Sequence, residues 1–320
     1  MRGLVALSTG AWYEIWPEDP IIKNHFLAEQ KVKARLRGKL KIAGFDMTNP
    51  VVVGDKVTYS IDNNGDFLIE NIDPRQNYII RRSVNLSKRA HIIASNIDQA
   101  LLVVTLKHPT TSTIFVDRFL VTCESFRIPV ILIFNKIDIY QEEDLALLTL
   151  WEEIYQPYYQ ILKISSFNSS DIERLKTYLV QKTSVISGLS GVGKSTLINQ
   201  LDSSFQQKTT EISSAFHQTG KHTTTYAQMF PLTFGGQIVD TPGIRGLGFY
   251  QLKKEEIGHY FPEIRQIFHQ CRFSNCTHTH EPDCAVLKAV EEGKFSTSRY
   301  ESYCSFLEED QNTYRQETWT

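Results

Sequence analysis

Residues 184–201 read SVISGLSGVGKSTLINQL and contain Gly188-x-x-x-x-Gly193-Lys194-Ser195, the spacing of a phosphate-binding loop. Glycines let such a backbone curl until several N–H groups converge on phosphate oxygens, and the helix that follows adds the positive end of its dipole. The loop residues Gly188, Leu189, Ser190, Gly191, Val192, Gly193, Lys194, Ser195 and Thr196 would together cradle a nucleotide's phosphates. Lys194 would reach the β- and γ-phosphates as a point charge, and Ser195 would place its hydroxyl on Mg²⁺. The bland alternative is a glycine-rich turn of no function. An apolar strand, TSVIS, before the loop and a helical pattern, KSTLINQL, after it argue against that alternative.

A second group of residues could read a base. Asn135, Lys136, Ile137 and Asp138 (NKID) end the apolar run VILIF. Asp138 can accept two hydrogen bonds from the N1–H and 2-amino group of guanine, while Asn135 spends its amide on the base and neighbouring loops. Adenine lacks those donors, so a carboxylate left unpaired discriminates against it. Ser165 and Ser166, after the next strand, fit a supporting base-contact loop. DTPG at 240–243 ends another apolar strand; Asp240 is placed to hold Mg²⁺ through water and Gly243 to donate its N–H to a γ-phosphate. Alone, each of these short strings is an ordinary turn sequence. Two competing readings are a P-loop kinase or ATPase acting on a small molecule, and an RNA-binding module with a vestigial nucleotide site. NKID argues against the first, and the complete set of Lys194, Ser195 and Asp240 against the second.

The segment CRFSNCTHTHEPDC holds a third chemistry, Cys271-x4-Cys276-x-His278-x5-Cys284, with His280 competing for the place of His278. Three thiolates and one imidazole make a closed tetrahedral shell, as in structural zinc; a catalytic zinc would keep a position for water. Buried free cysteines are the plain alternative. The chain has five cysteines, an odd number with three of them clustered beside histidines. That usage suggests metal binding in a reducing cytosol rather than a disulfide framework. Cys123 and Cys304 lie in helical patterns and are expected only to pack.

The elements that must position these groups fall into three regions of a 320-residue chain, long enough for two or three cores. The chain is 41% hydrophobic and 22% charged with a formal charge of −2, so any basic surface must be local. At the N-terminus only LVAL is an uninterrupted apolar run, too short for a signal-peptide core, and no stretch approaches a membrane span. Residues 1–85 read as short strands and turns, including VVVGDKVTYSI (51–61), NNGD and FLIENI, and predict a small OB-type β-barrel. Within them KVKARLRGKLKI places Lys31, Lys33, Arg35, Arg37, Lys39 and Lys41 at every second position, six cations on one face of a strand. A solvated outer face is the simple reading; the absence of an interleaved carboxylate favours an anionic partner such as RNA. Residues 86–250 alternate strand and helix, which predicts a doubly wound α/β domain. One helix there, SSDIERLKTYLV, opens with Ser170-x-x-Glu173, a capping box. Residues 251–320 are mostly helical around the cysteine and histidine cluster.

The motif order is transposed. A Ras-like GTPase runs phosphate loop, switch threonine, DxxG, NKxD and then the base-supporting loop. This chain runs NKID, SS, phosphate loop, KHTTT, DTPG, which is the same circle cut between DTPG and the strand QALLVVTL. Circular permutation keeps contacts intact where the old termini were close and the new ones fall in surface loops.

With VVVGDKV, NIDQALLVV, NKID, GLSGVGKST, GKHTTT, DTPGIRGLG and the cysteine cluster all present, the chain closely resembles the circularly permuted small-subunit ribosome biogenesis GTPases, the RsgA (YjeQ/YloQ) family, over nearly its full length. The resemblance implies an N-terminal OB-fold, a central permuted GTPase domain and a C-terminal zinc domain. It implies GTP, Mg²⁺ and one structural Zn²⁺ as ligands, and a cytoplasmic assembly factor that binds the small ribosomal subunit and its rRNA late in maturation. GTP hydrolysis, stimulated by the subunit, would be coupled to release. The family's cysteine pattern selects His278 over His280. Where Ras-type enzymes carry the glutamine that orients the attacking water, this chain has Ile244, which can do neither half of a hydrogen bond. His222, in GKHTTT, is the nearest candidate, and the resemblance suggests it for that role; a switch histidine that only contacts RNA is the alternative. Thr224 is preferred over Thr223 and Thr225 to complete the magnesium shell. Binding of the subunit would order KHTTT and so raise turnover. Because DTPG runs almost directly into the zinc domain, γ-phosphate contacts could also reorient that domain. Nothing in the sequence points to an oligomer, so a monomer is expected.

Overall fold

A computed structural model describes residues 1–21, 25–38, 50–82, 90–203, 227–240 and 252–309. The chain forms two compact units, Met1–Thr110 with Phe126–Tyr250, and Thr111–Ser125 with Gln251–Thr320.

The first unit begins with five strands, β1 (Arg2–Ser8), β2 (Tyr13–Pro17), β3 (Val32–Leu36), β4 (Lys56–Ile61) and β5 (Phe67–Ile72). β1 pairs with β2, β2 with β3, β3 in parallel with β5, β5 with β4, and β4 back with β1. Closure of the ring removes the free edges, and alternation sends Val5, Tyr13, Ile15, Ala34, Val57, Tyr59 and Ile69 inside. The expected OB-like barrel is present. Residues 51–55 do not extend β4 as their apolar run predicted. The buried Asp55 carboxylate gathers them into a turn, accepting from Val52 N–H at 2.9 Å, Ser95 Oγ at 2.6 Å and the Arg75 guanidinium at 2.7 Å. Two further strands, β6 (Tyr78–Arg82) and β7 (Ala90–Ser95), pair antiparallel as a separate two-stranded sheet.

The cationic strand keeps its alternation, with Lys31, Lys33, Arg35 and Arg37 exposed and Ala34 buried. The face is less cationic than the sequence suggests, because neighbouring strands supply the carboxylates. Glu14 sits 3.2 Å from the Lys31 ammonium and Glu70 2.6 Å from the Arg37 guanidinium, while Arg35 lies 4.5 Å over the Trp12 ring. Lys39 and Lys41 lie outside the described residues.

The same unit contains a six-stranded array: β8 (Gln99–Val104), β9 (Val130–Phe134), β10 (Gln160–Lys163), β11 (Thr183–Ser187), β12 (Gln228–Pro231) and β13 (Gln237–Asp240). Its order is β10-β9-β8-β11-β13-β12, all parallel except β12 against β13. β8 and β9 are buried at every position, as continuous apolar runs in a parallel sheet should be. The helices α2 (Glu142–Tyr155), α3 (Ser169–Leu179) and α4 (Lys194–Leu201) connect or follow the strands. Ile172, Leu175, Leu179, Leu197 and Leu201 join Leu101, Ile133 and Ile186 in one core. The start of α3 differs from expectation. Ser170 is already helical, and the cap is Asn168, whose extended backbone lets its side chain accept from Ser170 N–H at 2.9 Å. Glu173 instead pairs with Lys176 at 2.7 Å.

In the second unit α1 (Thr113–Ser125) packs against the C-terminal helix Thr297–Glu308 and the short turn Gly258–Tyr260. At its centre Arg299 is wholly buried, donating to Asp117 at 2.8 Å and to both oxygens of Glu263 at 2.8 and 2.9 Å. Desolvated charges of this kind persist only where opposite charges compensate them. Among the described residues no helix is long and apolar enough to cross a membrane.

Candidate functional site

Parallel strands point their carboxyl ends the same way, and ligands of open α/β sheets bind there, where the strand order reverses. Here the order reverses between β8 and β11. NKID follows β9, Ser165 and Ser166 follow β10, the phosphate loop follows β11 and Asp240 ends β13, so the four segments lie along one edge.

Asn135 ties three of them together. It is 1% exposed; its amide donates to Val192 O at 2.8 Å, and its Oδ1 accepts from Ser166 N–H at 3.2 Å and Ser166 Oγ at 2.9 Å. Lys136 stands in the left-handed region at φ 63°, and its ammonium donates to Gly191 O at 2.7 Å and His108 O at 2.5 Å. Ile137 and Asp138 open a short 3-10 turn, with Asp138 exposed. Ser165 N–H donates to Asp171 at 2.9 Å, which fixes the Ser165–Ser166 turn to the start of α3.

The glycines of the phosphate loop have physical reasons to be glycine. Gly188 (φ 145°) packs so tightly that a Cβ would come 2.2 Å from Val103 O, and one on Gly193 (φ 96°) would come 2.4 Å from the Asn135 amide. Val192 is buried under the loop, Leu189 is half-buried, and Ser190 and Ser195 are exposed. Thr196 is half-buried in the first turn of α4, which leaves the loop at Lys194. The Lys194 ammonium donates to Gly188 O at 2.9 Å and Leu189 O at 2.6 Å. Partial desolvation raises the Asp240 carboxyl above the usual range while the nearby Lys194 ammonium lowers it, so the two are in electrostatic reach. Polar oxygens of Ser195 and Asp240 suit a hard cation such as Mg²⁺. His222, Thr224 and Gly243 lie outside the described residues.

The cysteine and histidine segment gathers independently. The ligand atoms of Cys271, Cys276, His278 and Cys284 all lie within 4.8 Å of one another. Nδ1 of His278 is 3.6 Å from Cys271 Sγ and 3.5 Å from Cys284 Sγ, and the two sulfurs are 3.9 Å apart. Tetrahedral zinc with sulfur at about 2.3 Å and nitrogen at about 2.0–2.1 Å gives edges of about 3.6 Å (S–N) and about 3.8 Å (S–S). The donor set therefore fits. Burial raises the Cys276 thiol to about 12 and lowers the His278 imidazole, as expected for donors held together before a cation compensates them. His280 is not in the cluster; its Nδ1 meets Thr279 Oγ1 at 2.8 Å.

Two polar groups escaped the sequence reading. Tyr140 hydroxyl donates to Asn135 O at 3.0 Å and accepts from Leu106 N–H at 2.9 Å. Glu281 accepts from the N–H groups of Thr277, Thr279 and His280 at 2.7, 3.1 and 3.3 Å. Neither belongs to a motif; only the run Thr-x-Thr-x-Glu across 277–281 hints at a carboxylate serving its own loop.

Residues 72–250 match the family profile described as RsgA GTPase. The small ribosomal subunit biogenesis GTPase RsgA of Bacteroides fragilis is 46% identical over 320 residues, covering 98% of this chain and 99% of its own. RsgA 2 of Bacteroides thetaiotaomicron is 45% identical over the same share. Among solved structures, YjeQ from Thermotoga maritima superposes with a TM-score of 0.74 at 36% identity, covering 96% of both chains. YloQ, described as a circularly permuted GTPase, gives 0.71 at 29%, covering 96% of this chain and 93% of its own. The transposed motifs, the strand order that reunites them and these full-length similarities agree: the chain belongs to the RsgA family of circularly permuted GTPases.

Proposed function

We propose that this protein hydrolyses GTP as an assembly factor of the small ribosomal subunit, binding the subunit and its rRNA in the cytoplasm during late maturation and leaving on hydrolysis. The observation that carries the nucleotide reading is Asn135, whose one side chain bonds to the phosphate loop and to the Ser165–Ser166 loop. Asp138 reads guanine, Ser165 and Ser166 support the base, and residues 188–196 hold the phosphates with Lys194 as their fixed charge. Ser195, Asp240 and Thr224 hold Mg²⁺, which when bound neutralises phosphate charge. The residue directly after DTPG is Ile244, whose side chain cannot order water. His222 therefore orients the attacking water, and Gly243 donates its N–H to the γ-phosphate.

Cys271, Cys276, His278 and Cys284 hold one structural Zn²⁺ that stabilises the C-terminal helices. Residues 1–85 form the OB-type RNA-binding domain, 86–250 the permuted GTPase domain and 251–320 the zinc domain of a monomer. Exposed Lys33 and the Trp12–Arg35 stack support an RNA contact on the barrel.

The test is GTP turnover with and without isolated small ribosomal subunits, for the wild type and His222→Ala. Slow intrinsic turnover, strong acceleration by subunits and loss of that acceleration in His222→Ala, with GDP binding retained, is the expected result. Equal rates with and without subunits would overturn the assembly-factor reading.

A further inference from the structure

We propose that Tyr140 is a positioning residue for guanine recognition, its hydroxyl setting the orientation of the turn that carries Asp138. This rests on the nucleotide site argued above. The turn is difficult to hold: Lys136 sits at φ 63° between a buried Asn135 and an exposed Asp138, a backbone conformation that a side chain with a Cβ adopts at a cost. A peptide in that state needs its orientation fixed from outside. Asn135 O faces the Tyr140 hydroxyl at 3.0 Å, five residues along the chain, and the same hydroxyl oxygen accepts Leu106 N–H at 2.9 Å.

Tyr140 thereby couples two segments that both reach the phosphate loop. Through Asn135 and Lys136 the NKID turn touches Val192 O and Gly191 O. The segment after β8, beginning at Leu106, supplies His108 O to the Lys136 ammonium, and its Pro109 lies beside Gly191. Among the described residues the hydroxyl bonds to Asn135 O and Leu106 N–H, one in the base-reading turn and one in the segment after β8. Burial raises its pKa, so the proton needed for the bond to Asn135 O stays in place. Removing the hydroxyl leaves the Leu106 N–H without its acceptor and frees the Asn135–Lys136 peptide to rotate, which moves Asp138 away from the base.

The prediction separates base reading from general stability. Adenine offers Asp138 no donor pair, so ADP lacks the contact that the turn orients and is the less sensitive ligand. In full-length Tyr140→Phe, which keeps the ring, the Kd for GDP should rise by about 5- to 10-fold, the worth of one partly buried hydrogen bond, while the Kd for ADP changes less than about twofold. Hydrogen exchange at the Leu106 amide of the nucleotide-free protein should accelerate in the same variant. Equal losses for GDP and ADP would reduce Tyr140 to a packing role, and an unchanged GDP affinity or an unchanged Leu106 exchange rate would overturn the proposal. A wild type without preference for GDP over ADP would instead overturn the nucleotide reading itself.

Discussion

The proposed nucleotide site and the candidate metal cluster are built in opposite ways. The metal donors come from 14 consecutive residues, Cys271 to Cys284, and meet because the local backbone turns them inward. The nucleotide site joins Asn135 to Val192 across 57 residues and to Ser166 across 31. A local knot needs only its own turns. The assembled site needs the strand order β10-β9-β8-β11 to bring three loops to one edge, and its integrity depends on side chains such as Asn135 that bridge them. Permutation is harmless to the second kind of site for the same reason: contacts across a sheet do not record the order in which its strands are connected.

Three substitutions probe the contrast. Lys194→Ala removes the fixed charge from the phosphates and should lower kcat for GTP by roughly 10²- to 10³-fold, the usual loss for a preorganised charge-stabilising group. Zinc content measured by plasma mass spectrometry should stay at the wild-type level; a parallel loss of zinc would show that the two sites are not independent. Asn135→Ala leaves Val192 O and Ser166 N–H without the partner they share. The cost of about 1–3 kcal/mol should raise the Kd for GDP by roughly 5- to 150-fold in titration calorimetry. A change below about twofold would mean that the loops hold without the bridge. Glu281→Gln has the smallest expected effect. The amide can keep some of the hydrogen bonds to Thr277, Thr279 and His280 but loses the charge that strengthens them, so zinc affinity in chelator competition should fall by about 10-fold with GDP affinity unchanged. Unaltered zinc affinity would show that the His278 loop is held by Tyr300 and Tyr303, whose hydroxyls donate to the carbonyls of His278 and Thr277 at 2.8 Å.

The parts legible in the sequence were those whose physics is short-ranged. The glycine spacing of 188–193, the apolar runs of β8, β9 and β11, and the cysteine spacing each state a local geometry that a few residues suffice to enforce. The cap of α3 was misplaced by two residues because Ser170 and Asn168 are both good caps, and only the backbone dihedrals decide which of them stands outside the helix. The charged face of β3 looked uncompensated because its carboxylates, Glu14 and Glu70, come from other strands. Tyr140 and Arg299 were invisible for a related reason: the hydroxyl reaches back to Leu106, 34 residues away, and the guanidinium reaches Asp117 across 182.

Sequence alone therefore set out the local patterns, since the glycine-rich loop, the NKID turn and the cysteine and histidine cluster are each written within one short stretch. Tertiary structure decided whether those patterns meet. Hydrogen bonds between loops and ion pairs in a core depend on distances in space, and only the packed sheet order and helix placement set those distances.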